Sequence, residues 1–484
     1  PFSEGAPVSL LNEAQPIQYA LFPDTTMDMI IEWVRKFRSH RHHTPDTAQQ
    51  TALGEVPRNL YRLNILGAAS RVSHTRLIRG VYVGPGCSVR SADEIFRSAL
   101  LGGILLPSSD TGRSDYIPAT ATIGPGAIIH DSTVQPGARV DSHARVTRSC
   151  ILETGGAENS AVVRDSIIGP GSILGQGEVT ASIVGPLTGQ HHASLLIAAD
   201  WSRGCGNIGY GANIGFNHSS RLADQEIRIG EGIFFGLDCA VQFPGNYQNA
   251  PYTVVATSVV LSPQCLEMPF SLIVKVAYEA PEHNGPAAET SLIPAGSNRL
   301  IPGWTLRNNM FAVLRNWIKH QSRFHARLHR INTFPFRAEM RAVIQSALDQ
   351  LVRISQQTSS EQRIITAADC PGIGANIVYR RDIAHAVAAY RQAIRFGELW
   401  ERWDASRQDA AIALSRAEIT EFTGLLHEMI SSAQASRSKD FDQHRAIFPE
   451  DRIPENHEHL IQSDRPLAAA LDPLRSRLQE LSSI

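Results

Sequence analysis

Lysine is scarce in this sequence. Only four of the 45 basic residues are lysines, and acidic residues outnumber basic ones, so the formal net charge is −2. A nucleic-acid-binding protein neutralises backbone phosphates with an excess of Lys and Arg. The charge balance therefore predicts no nucleic-acid partner.

Long apolar runs and a cysteine framework are missing as well. No stretch approaches the ~18 uninterrupted apolar residues of a membrane-spanning helix. Residues 1–18 lack the basic and then apolar pattern of a signal peptide. The six cysteines are scattered and form no C-x-x-C pair, which argues against a zinc ribbon and a disulfide scaffold. These absences predict a cytoplasmic protein with free thiols and no membrane span.

Aliphatic residues stand six apart within several segments, as Val134, Val140 and Val146 do, and glycine often follows the aliphatic residue. The clearest copies are Ile123-Gly-Pro-Gly-Ala-Ile128, Ile168-Gly-Pro-Gly-Ser-Ile173 and Ile208-Gly-Tyr-Gly-Ala-Asn213. A helix repeats every 3.6 residues and a half-buried strand every two, so neither explains the spacing. Short strands that turn sharply into a three-sided coil do explain it, because the aliphatic side chains stack inside and glycine relieves the corner. The repeat predicts a parallel β-helix.

Three regions follow from this repeat. Residues 1–70 form an N-terminal helical and irregular segment, in which Thr25 is expected to cap a helix over Met27–Phe37. The β-helix is predicted over residues 71–303. Beyond it, in residues 304–484, apolar residues recur at helical spacing and predict a C-terminal helical domain.

The six-residue pattern is lost in three places inside the predicted β-helix, at residues 93–106, 153–159 and 190–207. We interpret these stretches as insertions. Insertions in repeat proteins tend to lie on one face, and that face often binds a ligand. The third holds His191 and His192.

The repeats resemble those of left-handed β-helix hexapeptide transferases. They are most similar to an uncharacterised bacterial family of hexapeptide-repeat proteins, with a likeness that covers roughly residues 70–345. It is carried by His191-His-Ala-Ser-Leu-Leu-Ile-Ala-Ala-Asp-Trp201, by Gly206-Asn-Ile-Gly-Tyr-Gly-Ala-Asn-Ile-Gly-Phe-Asn-His218, and by Gly230-Glu-Gly-Ile-Phe-Phe-Gly236. The resemblance implies a left-handed β-helix, a homotrimer with active sites between subunits, and transfer of an acyl group from acetyl-CoA or another acyl thioester.

The candidate catalytic residues are histidines. A side chain with a pKa near neutrality can take a proton from a hydroxyl or amine that attacks a thioester. His218 and His192 are the leading candidates, and His191 is the third. His192 and His218 are separated by a little more than one 18-residue coil, so they are expected to lie close together. Each has the alternative of an ordinary loop histidine with a satisfied hydrogen bond.

Polar residues around these histidines are candidates for binding a sugar or nucleotide sugar. The fork of Arg221 suits a phosphate or carboxylate. Carboxylates can also orient a catalytic histidine, a role open to Asp200, Asp224 and Glu226, although exposed carboxylates are common. The remaining candidate ligands are amides that alternatively ladder along the coil corners: Asn207, Asn213 and Asn217.

Other functions stay open. The long helical region favours a non-enzymatic oligomeric scaffold or sugar-binding protein, and a sugar-nucleotidyltransferase-related module is a further possibility. A metal-dependent β-helix enzyme would use His191, His192, His218 or Cys205 as zinc ligands. Their spacing does not match that of γ-type carbonic anhydrases, so we expect no bound metal.

A basic stripe is also predicted on one helix face. Arg315, Lys319, Arg323 and Arg327 follow one another at intervals of four. Such a stripe suits phosphates or an acidic partner, or it is a solvated face with ion pairs.

Overall fold

The computed structural model describes residues 7–12, 16–39, 63–106, 115–216, 225–276, 296–409, 413–451 and 464–482. The chain forms a parallel β-solenoid of about 11 turns followed by a region of several helices, which confirms the predicted fold class. Two compact units are present. The first contains Pro1–Tyr247, Thr257–Gln264 and Arg323–Ile331, and the second contains Gln248–Ala256, Cys265–Ser322 and Asn332–Ile484. The domain boundaries predicted from the sequence stay predictions.

Each coil of the solenoid contributes one short strand to each of three parallel faces. In the first unit the first face contains Ile65–Leu66, Tyr82–Val83, Ala99–Leu100, Thr133–Val134, Cys150–Ile151, Ile167–Ile168, Ile183–Val184, Ala199–Trp201, Ile227–Ile229 and Gly245–Tyr247. The second face contains Arg71–Ser73, Ser88–Arg90, Thr122–Ile123, Arg139–Val140, Gly156–Glu158, Ile173–Gly175, Gly189–Gln190, Asn207–Ile208 and Phe234–Phe235. The third contains Leu77–Arg79, Glu94–Phe96, Ile128–His130, Arg145–Thr147, Val162–Arg164, Glu178–Thr180, Leu195–Ile197, Asn213–Phe216, Ala240–Gln242 and Val260–Leu261.

The predicted insertions at residues 153–159 and 190–207, and most of the one at residues 93–106, are in fact solenoid coils. Residues 153–159 and 190–207 supply strands in register with their neighbours, and so do residues 93–100. The aliphatic signal is lost there because other side chains fill the inside, as the buried Ala157 and Gln190 do. The insertion seen is an antiparallel hairpin of Gly102–Leu106 and Asp115–Thr120.

A ladder of buried serines stabilises the corner between the third and first faces. Each hydroxyl donates to the carbonyl two residues earlier and accepts the N–H of the next coil, as Ser149 does from Ser166 at 3.1 Å. The ladder satisfies main-chain groups that the sharp corner leaves without sheet partners. It comprises Ser98, Ser132, Ser149, Ser166 and Ser182.

The N-terminal segment packs against the outer side of the first face. It consists of an antiparallel pair, Pro7–Leu10 with Ile17–Ala20, and helix α1 (Met27–Ser39). Its apolar residues form one core with Cys150, Leu152, Ile167 and Ile183 of the solenoid. The predicted cap is off by one residue, because Thr26 Oγ1, and not Thr25, accepts the Met29 N–H at 3.3 Å.

Helices dominate the second unit. They are α2 (Trp304–Asn308), α3 (Met310–Arg323), α4 (Ala338–Gln357), α5 (Arg380–Ser406), α6 (Arg416–Ile447) and α7 (Arg465–Ser482), with a 3₁₀ turn at Pro371–Ile373. Further strands are Val254–Val255, Gln264–Cys265, Leu272–Lys275, Asn298–Ile301, Ile364–Ile365 and Asn376–Tyr379. The helix cores are aromatic, as where Trp400 contacts Trp317 and Phe422. The predicted basic stripe is wrong at Arg327, because α3 ends at Arg323.

Candidate functional site

Four of the predicted site residues lie outside the described part of the chain. They are His218, Asn217, Arg221 and Asp224. The expected approach of His192 to His218 therefore stays a prediction. The described candidates are His191, His192, Asn207, Asn213 and Glu226.

His191 and His192 lie side by side at the corner between the second and third faces. They follow the strand Gly189–Gln190 and precede Leu195–Ile197. Both side chains are exposed, and their ring centroids are 6.0 Å apart. His192 has a φ of 57°, so the chain turns there in the left-handed region, as it does at the corners of other coils. The turn therefore presents two imidazoles to solvent.

A buried amide holds this turn in place. Gln190 points into the solenoid, where its Nε2 donates to the carbonyl of Ser194 at 3.1 Å and to that of Glu178 at 3.3 Å. Its Oε1 has no hydrogen-bond partner among the described residues. Gln190 thus ties both ends of the histidine turn to the coil interior, which limits the freedom of the two imidazoles.

Two predicted amides flank the same corner. A Cβ on Gly189 would lie 2.8 Å from Asn207 Oδ1 and 3.3 Å from His191 Nε2, so both groups approach the bare backbone of this glycine. Asn213 follows on the third face, beside Leu195 of the histidine coil. Its Oδ1 is buried and lacks a hydrogen-bond partner within the described residues. The structure therefore brings His191, Asn207 and Asn213 to one edge of the solenoid.

Exposed apolar side chains continue this edge along the solenoid axis. Gly211 N donates to His192 O at 3.2 Å, and Asp238 N donates to Tyr210 O at 2.8 Å, so the corners of successive coils stack. Tyr210 is 58% exposed, and Leu237 and Phe234 are exposed beside it. Sequence reasoning missed these residues, although Tyr210 occupies the turn position of its repeat that His192 occupies in the preceding coil.

Glu226 and Asp200 lie elsewhere, on the first face. Arg38 Nη1 is 2.6 Å from Asp200 Oδ2, and Arg38 Nη2 pairs with Glu226. Arg228 also donates to Glu226, at 2.9 Å. Burial by itself would raise the pKa of Glu226, but the charges of Arg38 and Arg228 outweigh it and leave the pKa lowered. Among the described residues, these carboxylates hold α1 rather than orient a histidine.

Sequence reasoning missed another carboxylate, that of Glu153, which binds the segment 323–331. Glu153 Oε2 accepts the main-chain N–H groups of Arg327 and Leu328, each at 2.7 Å, and it is 3.5 Å from His329 Nδ1. Glu153 and His329 are both buried. Neither ring nitrogen of His329 has a hydrogen-bond partner in the described residues. No local motif signals this pairing, because its members are more than 170 positions apart.

The described residues contain no group of three or more His, Cys, Asp or Glu side chains that could hold a metal ion. Cys205, one of the residues weighed as a zinc ligand, is buried at the corner between the first and second faces. The histidine pair lies at a different corner. The described helices also include none with the length and apolar character needed to cross a lipid bilayer.

No family model matches the chain. An uncharacterized protein of Treponema pallidum (strain Nichols) is 24% identical over 256 residues, which is 52% of this chain and 31% of that protein. The chain thus spans about a third of the length of this relative. The crystal structure of a candidate acetyltransferase from Desulfovibrio desulfuricans G20 aligns with 51% of this chain and with 77% of its own length, at 10% identity. Its TM-score of 0.12 is too low to support a conclusion about fold or function.

Proposed function

We propose that this chain is a hexapeptide-repeat acyltransferase. It would move an acetyl or related acyl group from acetyl-CoA or another acyl thioester to a hydroxyl or amine of a sugar or nucleotide sugar. The observation that carries the proposal is the exposed pair His191 and His192, held by the buried Gln190 at one corner of a β-solenoid. The parallel solenoid with its six-residue repeat supports the same assignment.

In this mechanism a histidine acts as general base. His192, His191 or His218 removes the proton of the acceptor while the acceptor oxygen or nitrogen attacks the thioester carbonyl. The tetrahedral oxyanion then collapses, the C–S bond breaks, and the thiolate leaves with the proton that the histidine carried. Main-chain N–H groups at the glycine-rich corners stabilise the oxyanion. Asn207, Asn213 and Asn217 hydrogen-bond acceptor hydroxyls, while Arg221 and Asp224 complete the binding site.

The apolar edge next to the histidines supports a site between subunits. Tyr210, Phe234 and Leu237 are exposed beside the histidine corner, and large apolar side chains at a surface favour association. In a homotrimer a neighbouring copy would cover them and enclose the histidines. Such closure excludes water, and a cytoplasmic setting would supply the thioester.

The test is release of free thiol from acetyl-CoA in the presence of a panel of sugars and nucleotide sugars. We expect His192→Ala or His218→Ala to lower turnover by a factor of about 10² to 10⁴, as loss of a general base does. His143→Ala is the matched control, since His143 is an exposed histidine with a φ of 65° at the same corner of an earlier coil. Turnover that survives in a triple variant lacking His191, His192 and His218 would contradict the proposal.

A non-enzymatic scaffold is the second candidate, favoured by the helices of residues 304–482 beyond the repeats. Native mass spectrometry with and without acetyl-CoA separates the two. A trimer that gains one cofactor per chain supports the transferase. An assembly that gains no mass from acetyl-CoA or from an acyl carrier protein supports the scaffold.

A further inference from the structure

Among the described residues, the first coil of the solenoid, residues 63–80, forms one end of the strand stack. Its three strands, Ile65–Leu66, Arg71–Ser73 and Leu77–Arg79, are each the terminal strand of a sheet among the described residues. A terminal strand presents unpaired N–H and C=O groups to whatever lies beyond it. We call residues 63–80 the open end.

The hydrogen bonds of the first coil show which main-chain groups are available. Ile65 N and Gly67 N donate to the second coil, at 2.9 and 2.7 Å, and Arg71 N does so at 2.9 Å. Alternate residues of a strand direct their polar groups to opposite sides. Leu66 and Val72 therefore direct their N–H and C=O groups outward from the open end.

One main-chain group at this end is already capped. Asn64 Nδ2 donates to Ile78 O at 3.1 Å, and Asn64 Oδ1 accepts the Val81 N–H at 3.1 Å. This local cap serves the third face. The described residues hold no comparable cap for Leu66 or Val72 on the other two faces.

The open end is apolar as well as unpaired. Leu66 is 59% exposed, and the other exposed apolar side chains of the coil are Leu63, Ile65, Val72 and Leu77. Natural edge strands usually avoid this combination, because it templates pairing with another chain. An extended segment laid along the edge would bury these side chains and satisfy the main-chain groups together.

The charge of the open end identifies the chemistry of that segment. Residues 63–80 contain three arginines and no Asp or Glu, whereas the whole chain has a net charge of −2. All three are exposed, and none has a carboxylate partner within the described residues: Arg71, Arg76 and Arg79. A second copy docked end to end would place these like charges against each other. An acidic segment would complement them.

We propose that the open end binds an acidic polypeptide segment in extended conformation, which adds a strand beside Leu66 and Val72. Leucine and valine side chains at the edge bury the apolar residues of the segment, and Arg71, Arg76 and Arg79 pair with its carboxylates. This binding mode is independent of the histidine corner.

Fluorescence anisotropy with the full chain tests this inference. The probe is a fluorescein-labelled peptide of alternating Glu and Val, about eight residues long to match a typical strand. We expect saturable binding that weakens with added salt, because the charges are exposed. A peptide of alternating Lys and Val should not bind, and proline at the centre of the Glu–Val peptide should abolish binding because it removes a ladder N–H.

Substitutions of exposed residues test the position of the binding site, because they should have little effect on the stability of the fold. The double variant Arg71→Glu, Arg76→Glu should weaken binding roughly tenfold, as loss and reversal of two surface pairings does. Leu66→Glu should weaken it as well. Arg145→Glu, an exposed arginine on the third face, is the matched control and should leave binding unchanged.

Four outcomes would overturn the proposal. The first is no binding of the Glu–Val peptide, and the second is equal loss of binding in Arg145→Glu and in the Arg71, Arg76 double variant. The third is an oligothymidylate that binds as tightly as the acidic peptide, which would indicate nucleic acid. The fourth is a concentration-dependent dimer that Leu66→Glu abolishes, which would indicate a second copy.

Discussion

Arg38 Nη1 lies 2.6 Å from Asp200 Oδ2, although the two residues are 162 positions apart. Arg38 stands in the last turn of α1, and Asp200 lies on the first face of the solenoid. The same guanidinium also pairs with Glu226. Helix α1 is thus tied to the solenoid by one arginine shared between two carboxylates, beside the apolar core that the helix forms with the same face.

Arg38→Ala should lower the free energy of unfolding by about 3 kcal/mol, because it leaves the buried Asp200 without its counter-ion and removes one of the two arginines paired with Glu226. The Asp200 side chain is only 2% exposed, so water cannot replace the arginine there. Urea unfolding followed by circular dichroism measures the change. Arg35→Ala, an exposed arginine of the same helix, should change stability by less than about 0.5 kcal/mol. Equal effects of the two substitutions would contradict the pairing.

The pKa of Glu226 predicts an acid dependence of stability. Burial tends to raise this pKa, but Arg38 and Arg228 leave it below the ordinary value of 4.5. A carboxyl whose pKa is lowered by folding stabilises the native state fully above its unfolded pKa, and the contribution is lost as the pH falls through the folded value. The stability difference between the native protein and Glu226→Gln should therefore be largest near neutrality and shrink below about pH 4.5.

Urea midpoints across this pH range, compared between the two proteins, test the sign. Glu361→Gln, an exposed glutamate in the second unit, serves as the control and should follow the native protein at every pH. A difference that grows on acidification would show that Glu226 is not stabilised in its charged form.

Glu153→Ala should release the segment 323–331. The substitution removes the acceptor for two partly buried main-chain N–H groups, and the loss of such hydrogen bonds costs about 1 kcal/mol each. Trypsin should then cleave after Arg327 and Arg330 faster than in the native protein. The control is Glu32→Ala, which removes an exposed carboxylate paired with Lys36 and should leave these cleavage rates unchanged. Unaltered cleavage in Glu153→Ala would mean that other contacts hold the segment.

Two glycines should respond to alanine in opposite directions. Gly204 has a φ of 56°, and a Cβ there would collide with the main chain of Pro186, so Gly204→Ala should destabilise the protein by more than about 2 kcal/mol. Gly424 lies exposed on α6 with no atom near its Cβ position, so Gly424→Ala should stabilise by about 0.5–1 kcal/mol. Thermal unfolding of both variants measures the contrast. Destabilisation by Gly424→Ala would contradict its place in an exposed helix.

The candidate site was only partly predictable from the sequence. His191 and His192 were identified because they stand in a stretch where the six-residue pattern is lost, and because a histidine can act as a general base. The approach of Asn207 to His191 across Gly189 depends on the register between coils. So does the hydrogen bond from Gly211 N to His192 O, which stacks the next corner on the histidine turn. The role of Glu226 was not predictable, because its partner Arg38 precedes the solenoid.

The sequence by itself determined the β-solenoid and the helical region that follows it, since aliphatic residues recur every six residues in several coils and apolar residues recur every 3.6 in the helices. Where Ala157 or Gln190 fills the interior, the pattern disappears although the coil continues, because shape and not residue type defines the inner position. Only the tertiary structure decided which face α1 covers and which carboxylate holds residues 323–331. Those contacts join residues far apart in the chain, and no local period records them.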